Sequence, residues 1–203
     1  MPEDGNALRL GALILAAGGS SRMGKAKQLL EIGGKPLVAR AVDAALDSGA
    51  GPVVVVLGAD SERILARISG RGIIAVNNPE WATGLASSIR AGLAALLAAE
   101  PALEAVLIAP CDQPALSAEV IQRLAAAHRS SGRISAARYG GRNGAPAVFG
   151  REHFGALSAL SGDEGARRLL NSDPGKVSAV ELPELGADID TPGDYAAWLS
   201  RGS

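Results

Sequence analysis

The stretch with the most chemical content runs Leu-Ile-Leu-Ala-Ala-Gly-Gly-Ser-Ser-Arg-Met-Gly-Lys-Ala-Lys-Gln from Leu13 to Gln28. An apolar run gives way to a glycine- and serine-rich turn, then to Arg22, Lys25 and Lys27. Glycines let a backbone approach a polyphosphate closely, free N–H groups donate to its oxygens, and cations balance its charge. Gly19 to Lys25 has the G-x-x-x-x-G-K spacing of a P-loop, but Ala26 stands where that loop needs a hydroxyl for magnesium. Gly18, Gly19 and Gly24 lack the G-x-G-x-x-G spacing of a dinucleotide fold. The stretch is a phosphate cradle of another kind.

Other residues offer matching chemistry. Asp112 follows the apolar run Glu104 to Ala109, where a carboxylate can anchor the divalent ion that offsets triphosphate charge. It is equally a residue that starts a turn before Pro114. Cys111 has no base beside it and reads as a small buried residue rather than a nucleophile. Gly84 and Ser88 open a helix whose first N–H groups and hydroxyl can face an anion or a base, with Ser87 as the alternative hydroxyl. Trp81 reads as packing ahead of ring stacking. His128 and His153 have no partners for a metal site and read as surface residues.

These residues need a scaffold, and the pattern supplies one. Leu13 to Ala17 reads as a buried strand, Pro36 to Asp47 as a helix with the proline near its first turn, and Val53 to Leu57 as a strand covered on both faces. A helix to about Ile68, a strand over Ile73 to Val76, a helix over Leu85 to Ala99 and a strand over Glu104 to Ala109 continue the alternation. Ser117 caps a helix over Ala118 to His128. Ile134 to Tyr139 and Ala147 to Phe149 read as strands flanking a polar tip, Gly140 to Gly144. Gly165 to Leu170 then reads as helical, Val177 to Leu182 as a strand, and Thr191-Pro192-Gly-Asp194 as a helix start. Alternation of this kind predicts an α/β fold in three layers, a mostly parallel sheet with helices on both faces. Ligands then bind at the carboxyl ends of the strands, which places residues 17–27, those after Val76 and those after Ala109 along one edge.

Composition narrows the function classes. The 203 residues read as one domain, 1–203, without repeats or linkers. A balance of 20 basic against 21 acidic residues excludes a general nucleic-acid or anionic-membrane binder. The lone Cys111 excludes an intrachain disulfide framework and suits a reducing compartment. With no signal segment and no membrane-length apolar run, the expected location is cytoplasmic.

Leu15-Ala-Ala-Gly-Gly-Ser-Ser-Arg-Met-Gly24 with Lys27 resembles the signature of nucleotidyltransferases that use free nucleoside triphosphates. Asn78-Pro-Glu-Trp-Ala-Thr-Gly-Leu-Ala-Ser-Ser88, Cys111-Asp-Gln-Pro114, Gly162-Asp-Glu-Gly-Ala-Arg167 and Asp188-Ile-Asp-Thr-Pro192 are similar, more narrowly, to the molybdenum cofactor cytidylyltransferases (MocA-like). The resemblance implies a Rossmann-like nucleotidyltransferase fold and Mg²⁺-dependent transfer of CMP from CTP to the terminal phosphate of molybdopterin. The product would pass to a recipient molybdoenzyme or its maturation chaperone. By the same resemblance Leu15 and the Ala16, Ala17, Gly18, Gly19 and Ser20 backbone, with Gly84 and Ser88, hold the nucleotide. Arg22 and Lys27 counter phosphate charge, Asp112 holds the metal, and Asp190 is its second ligand in competition with Asp188. Lys25 matches no fixed family residue. Asp163 and Arg167 either bind the acceptor or pair one helical turn apart. Arg142-Asn-Gly-Ala-Pro146 departs from the Gly-His-Pro run usual in the family. Ala17 in place of glycine favours CTP over GTP. The other readings are a sugar- or polyol-phosphate nucleotidyltransferase and a non-catalytic cofactor chaperone.

Overall fold

The structure is a computed structural model that describes residues 8–163, 165–172 and 174–200. Its strands, in chain order, are β1 (Leu10–Ala16), β2 (Glu31–Ile32), β3 (Lys35–Pro36), β4 (Val53–Leu57), β5 (Ile74–Asn77), β6 (Ala105–Pro110), β7 (Ile134–Tyr139), β8 (Arg142–Gly150) and β9 (Val177–Glu181). The helices are α1 (Leu37–Asp47), α2 (Ser61–Ile68), α3 (Leu85–Ala99), α4 (Ala118–Ser131), α5 (Phe154–Ser158), α6 (Arg167–Ser172) and α7 (Pro192–Ser200).

Aliphatic runs with few polar interruptions form the middle of a seven-stranded sheet in the order β5-β4-β1-β6-β8-β7-β9. β1 lies parallel to both neighbours, with Leu13 opposite Val54 on one side and Ile108 on the other. β8 runs antiparallel to β6 and β7, and β9 returns parallel to β7. Alternate β1 side chains serve opposite layers. Ala12, Ile14 and Ala16 pack with Val38, Val42, Ile121 and Leu124 of α1 and α4, whereas Leu13 packs with Ile89, Leu93 and Leu96 of α3. The expected three-layer α/β sheet is therefore observed. A smaller cluster joins Met23, Leu30, Leu37 and Ile189, with Tyr195 and Trp198 of α7 packed on it.

Several boundaries differ for identifiable reasons. Gly140 and Gly141, at φ 55° and 75°, close a tight hairpin. Arg142 and Asn143 therefore pair with Tyr139 and Arg138 as part of β8 rather than forming a polar tip. Gly33 and Gly34 make a second such turn, at φ 58° and 75°, so Pro36 ends β3 in an extended conformation and is the N-cap of α1, next to its first turn, while the helix itself begins one residue later than expected. Helix α4 runs on to Ser131, where Gly132 stops it at φ 62°. His128 is buried in its last turn with Nδ1 2.7 Å from the Arg133 carbonyl, and His153 sits edge-on to Phe149, so neither is the free surface residue expected. Residue 164, within the segment read as similar to Gly162-Asp-Glu-Gly-Ala-Arg167, lies outside the described residues. No described helix is long and apolar enough to cross a membrane.

Packing of α3 on the sheet depends on Gly92. A Cβ there would collide with Leu13 Cδ1 and stand 2.8 Å from Val56 Cγ2, both in the core. Gly155 in α5 has nothing within 4 Å of the same position. Gly92→Ala is expected to destabilise the fold by about 1–3 kcal/mol through overpacking, while Gly155→Ala stabilises by up to about 1 kcal/mol. Urea unfolding of both variants checks the contrast.

Candidate functional site

The carboxyl ends of β1 and β6 lie side by side, with Leu15 opposite Pro110. Their continuations therefore open at the same edge. Beyond β1 the chain forms the glycine-rich loop, and beyond β6 it reaches Asp112. A third segment joins them: Ile189 N–H donates to the Asp112 carbonyl at 3.1 Å. That bond and the burial of the Ile189 side chain hold Asp188 and Asp190 at the site. The expected cap at Thr191 is present, with Asp194 Oδ2 accepting from the N–H groups of Asp190 (3.2 Å) and Thr191 (2.8 Å).

Lys27 starts a short 3₁₀ turn, Lys27–Leu29, and its ammonium sits between two carboxylates. Nζ lies 2.5 Å from Asp112 Oδ2 and 2.7 Å from Asp190 Oδ1. Arg22 approaches the other Asp190 oxygen at 3.3 Å. Burial alone would lower the Lys27 pKa, but Asp112 and Asp190 outweigh it and hold the ammonium charged well above its ordinary range. Asp188 is further from compensation. Burial, and then Asp112, push its carboxyl upward. Cys111, next to Asp112, is buried, and burial followed by the Asp112 charge pushes its thiol pKa up, which disfavours the thiolate.

A cavity of about 1190 Å³ opens over this edge. Of the residues singled out in the sequence, Leu15, Ala16, Ala17, Gly18, Lys27, Gly84, Ser88 and Asp112 line it. Gly19, Ser20, Arg22 and Asp190 are outside the described lining, at its rim or in the loop beside it. Asp188, the competitor of Asp190, lines the cavity but does not touch Lys27 among the described contacts; Asp190 does. Ser88 is distinguished from Ser87. Both hydroxyl oxygens accept from Asn78 Nδ2, but Ser87 Oγ is turned to the carbonyls of Glu80 and Gly84, whereas Ser88 lines the cavity.

The start of α3 is less open than its sequence suggests. Gly84, at φ 119°, lies so close to the Gly162 backbone that a Cβ would meet it at 2.5 Å, and the Gly162 carbonyl already accepts the Ala86 N–H. Asp163 and Arg167 both line the cavity, but α6 begins only at Arg167, so they do not share a helical turn. Trp81 packs against Gly19 and Gly58, where added Cβ atoms would stand 3.0 Å and 2.6 Å from its indole, and it also lines the cavity. Lys25 lies 5.8 Å from the centre of the Tyr195 ring rather than in the site.

Three structural residues went unread in the sequence. Gln28 is buried and bonded across the glycine-rich loop. Asn78 ties the chain after β5 to α3 through Ser87 and Ser88. Gln113 Nε2 reaches Tyr139 Oη at 3.2 Å and the Ala145 carbonyl at 3.1 Å. The available signal was position: each is an amide next to a turn whose apolar neighbours are buried, where an unpartnered amide would be costly.

Comparison with known proteins gives a consistent answer. Residues 12–177 match the family described as MobA-like NTP transferase domain, a span that ends before Asp190. The chain is 36% identical over 191 residues to nicotine blue oxidoreductase of Paenarthrobacter nicotinovorans, covering 88% of this chain and 91% of that protein. It is 37% identical over 123 residues to the bifunctional protein GlmU of Trichlorobacter lovleyi, covering 60% of this chain but only 26% of that protein. Among solved structures, Rv0371c from Mycobacterium tuberculosis H37Rv superposes with a TM-score of 0.79 at 27% identity, covering 95% of this chain and 98% of that one. Rv0371c in complex with manganese superposes with a TM-score of 0.76 at 25% identity, covering 95% and 98%.

Burial and neighbouring charge together make Cys111 inert in the native protein. Alkylation by iodoacetamide at pH 8 is expected to be at least about a hundredfold slower in the folded protein than in urea. Mass-spectrometric labelling rates in the two states check this.

Proposed function

The chain belongs to the MobA-like NTP transferase family, and from that membership we propose that it transfers CMP from CTP to the terminal phosphate of molybdopterin-type cofactor. The observation that carries the reading is Lys27 held between Asp112 and Asp190 beside a glycine-rich loop, at the carboxyl edge of the sheet.

The donor set fits a divalent ion. Asp112 and Asp190 supply hard carboxylate oxygens that converge on one point, marked by the Lys27 ammonium. A divalent ion held by them would complete its shell with phosphate oxygens and water. When bound, Mg²⁺ would screen the triphosphate and polarise its α-phosphate. A phosphate oxygen of the acceptor attacks the α-phosphorus, the bond from that phosphorus to the β-phosphate oxygen breaks, and pyrophosphate leaves. The attacking oxygen is already anionic at neutral pH, so no general base is needed. Lys27 and Arg22 offset the charge that develops on the phosphates, and the loop N–H groups orient them.

Two features of this chain support the substrates. Ala17 lines the cavity, and a methyl at that position leaves less room for a purine than a glycine would, which favours a pyrimidine. The cavity wall of Trp81, Leu85, Ile89, Ile108 and Phe149 suits a planar heterocycle. A reducing cytoplasm suits the buried free Cys111. A second reading follows from the relative named nicotine blue oxidoreductase: an oxidoreductase reaction on a dye of that kind in the same cavity, with a diffusible redox cofactor as the electron partner. A cofactor chaperone is the third.

Pyrophosphate release with molybdopterin, Mg²⁺ and either CTP or GTP tests the proposal. CTP turnover is expected to exceed GTP turnover; equal or faster turnover with GTP overturns the base assignment. Lys27→Ala should lower kcat by about 10²–10³-fold, whereas the dye reaction or cofactor delivery would persist in that variant. Losing its ammonium also removes the competitor for the two carboxylates. Nucleotide-free Lys27→Ala should therefore bind Mn²⁺ about fivefold more tightly than wild type, equivalent to roughly 1 kcal/mol. Electron paramagnetic resonance titration measures this directly.

A further inference from the structure

We infer that Gln28 is a positioning residue that presets the phosphate loop; the inference rests on the reading of that loop as the triphosphate site. Gln28 has 1% of its surface exposed. Its Nε2 donates to the Ala16 carbonyl at 3.1 Å and to the Gly18 carbonyl at 2.7 Å. Its Oε1 accepts from Ser20 Oγ at 3.2 Å, and that hydroxyl oxygen in turn accepts the Lys27 N–H at 3.0 Å. One side chain thus ties together both limbs of the loop and the backbone of Lys27. The amide orientation is fixed by its partners, since two carbonyl oxygens can only accept.

The consequence for anion binding follows from peptide geometry. In a planar trans peptide the C=O and the following N–H point in opposite directions. Drawing the Gly18 carbonyl inward to Gln28 therefore turns the Gly19 N–H outward. Among the described residues, the N–H groups of Gly18, Gly19, Ser20, Ser21 and Arg22 have no acceptor. Ser20 is held at φ 51°, a left-handed conformation that non-glycine residues seldom adopt, and its carbonyl accepts from Met23 and Gly24. Successive N–H groups around such a residue form an anion-binding concavity. Gln28 removes two carbonyl oxygens from the face an anion approaches and leaves the donors there.

Chemistry selects glutamine at this position. Glutamate has the same size, but its carboxylate offers no hydrogens to the Ala16 and Gly18 carbonyls and would place a negative charge beneath the phosphates. Methionine keeps the volume without charge or donors.

The test compares wild type with Gln28→Glu, Gln28→Met and Ser20→Ala, reading kcat and the separate KM values for CTP and for the acceptor, alongside thermal melts. KM for CTP is expected to rise about tenfold or more in Gln28→Met and further in Gln28→Glu. Ser20→Ala, which deletes only the outer bond, should raise it about threefold. In all variants the acceptor KM should stay within about twofold, a split from the CTP KM that general damage to the fold would not give. Should Gln28→Glu fail to fold, Gln28→Met and Ser20→Ala decide the matter. Folded variants with an unchanged CTP KM, or with both KM values raised together, overturn the role of Gln28. Wild-type protein that binds no nucleoside triphosphate overturns the proposed function as well, so the two failures are distinct.

Discussion

One charge arrangement organises the site: the ammonium of Lys27 shared by Asp112 and Asp190, with side chains less than two-fifths exposed. Two carboxylates brought this close repel each other, and burial makes each charge more costly. The arrangement is tolerable because a cation stands between them. Each member comes from a different part of the chain, one after β1, one after β6 and one before α7. The site therefore exists only when the centre of the sheet is closed and the C-terminal segment is docked.

The fold is built to bring those three segments together. Parallel pairing of β1 with β6 sets two of them at one edge. The third arrives through the small cluster in which Ile189 and Met23 are buried with Leu30 and Leu37 under Tyr195 and Trp198. Met23 belongs to the glycine-rich loop and Ile189 lies between the two candidate acids, so the same apolar contact fixes the loop and the second carboxylate. Glycine serves here by absence: Gly19 and Gly58 leave room for the indole of Trp81, which then forms both packing and cavity wall.

Much of this was legible in the sequence because it rests on local chemistry. The all-apolar run Val53–Leu57 could only be a central strand, and Thr191-Pro192 with Asp194 could only start a helix. Helix α3 was bounded correctly by its composition. The meeting of Lys27 with Asp112 and Asp190 spans up to 163 residues, and only the family resemblance brought those positions together in the sequence. The short glycine turn at Gly33-Gly34 escaped notice, and the one at Gly140-Gly141 was read as a tip running to Gly144, since the effect of such turns is to lengthen the pairing of unremarkable flanking residues. His128 was misplaced because burial at a helix end depends on what packs over it, here β7. Gln28 was missed for a related reason. The two partners of its Nε2 are backbone carbonyl oxygens, which carry no signature in the residue types.

In the proposed mechanism Lys27 is a mobile counter-ion, bound to the two acids until phosphates and a divalent ion replace them as partners. A crystal structure with Mn²⁺ and a non-hydrolysable CTP analogue tests this most directly. It is expected to show the ion held by Asp112 and Asp190, with Lys27 Nζ transferred to a phosphate oxygen. An ion bound elsewhere, with Lys27 still bridging the two carboxylates, would contradict the account.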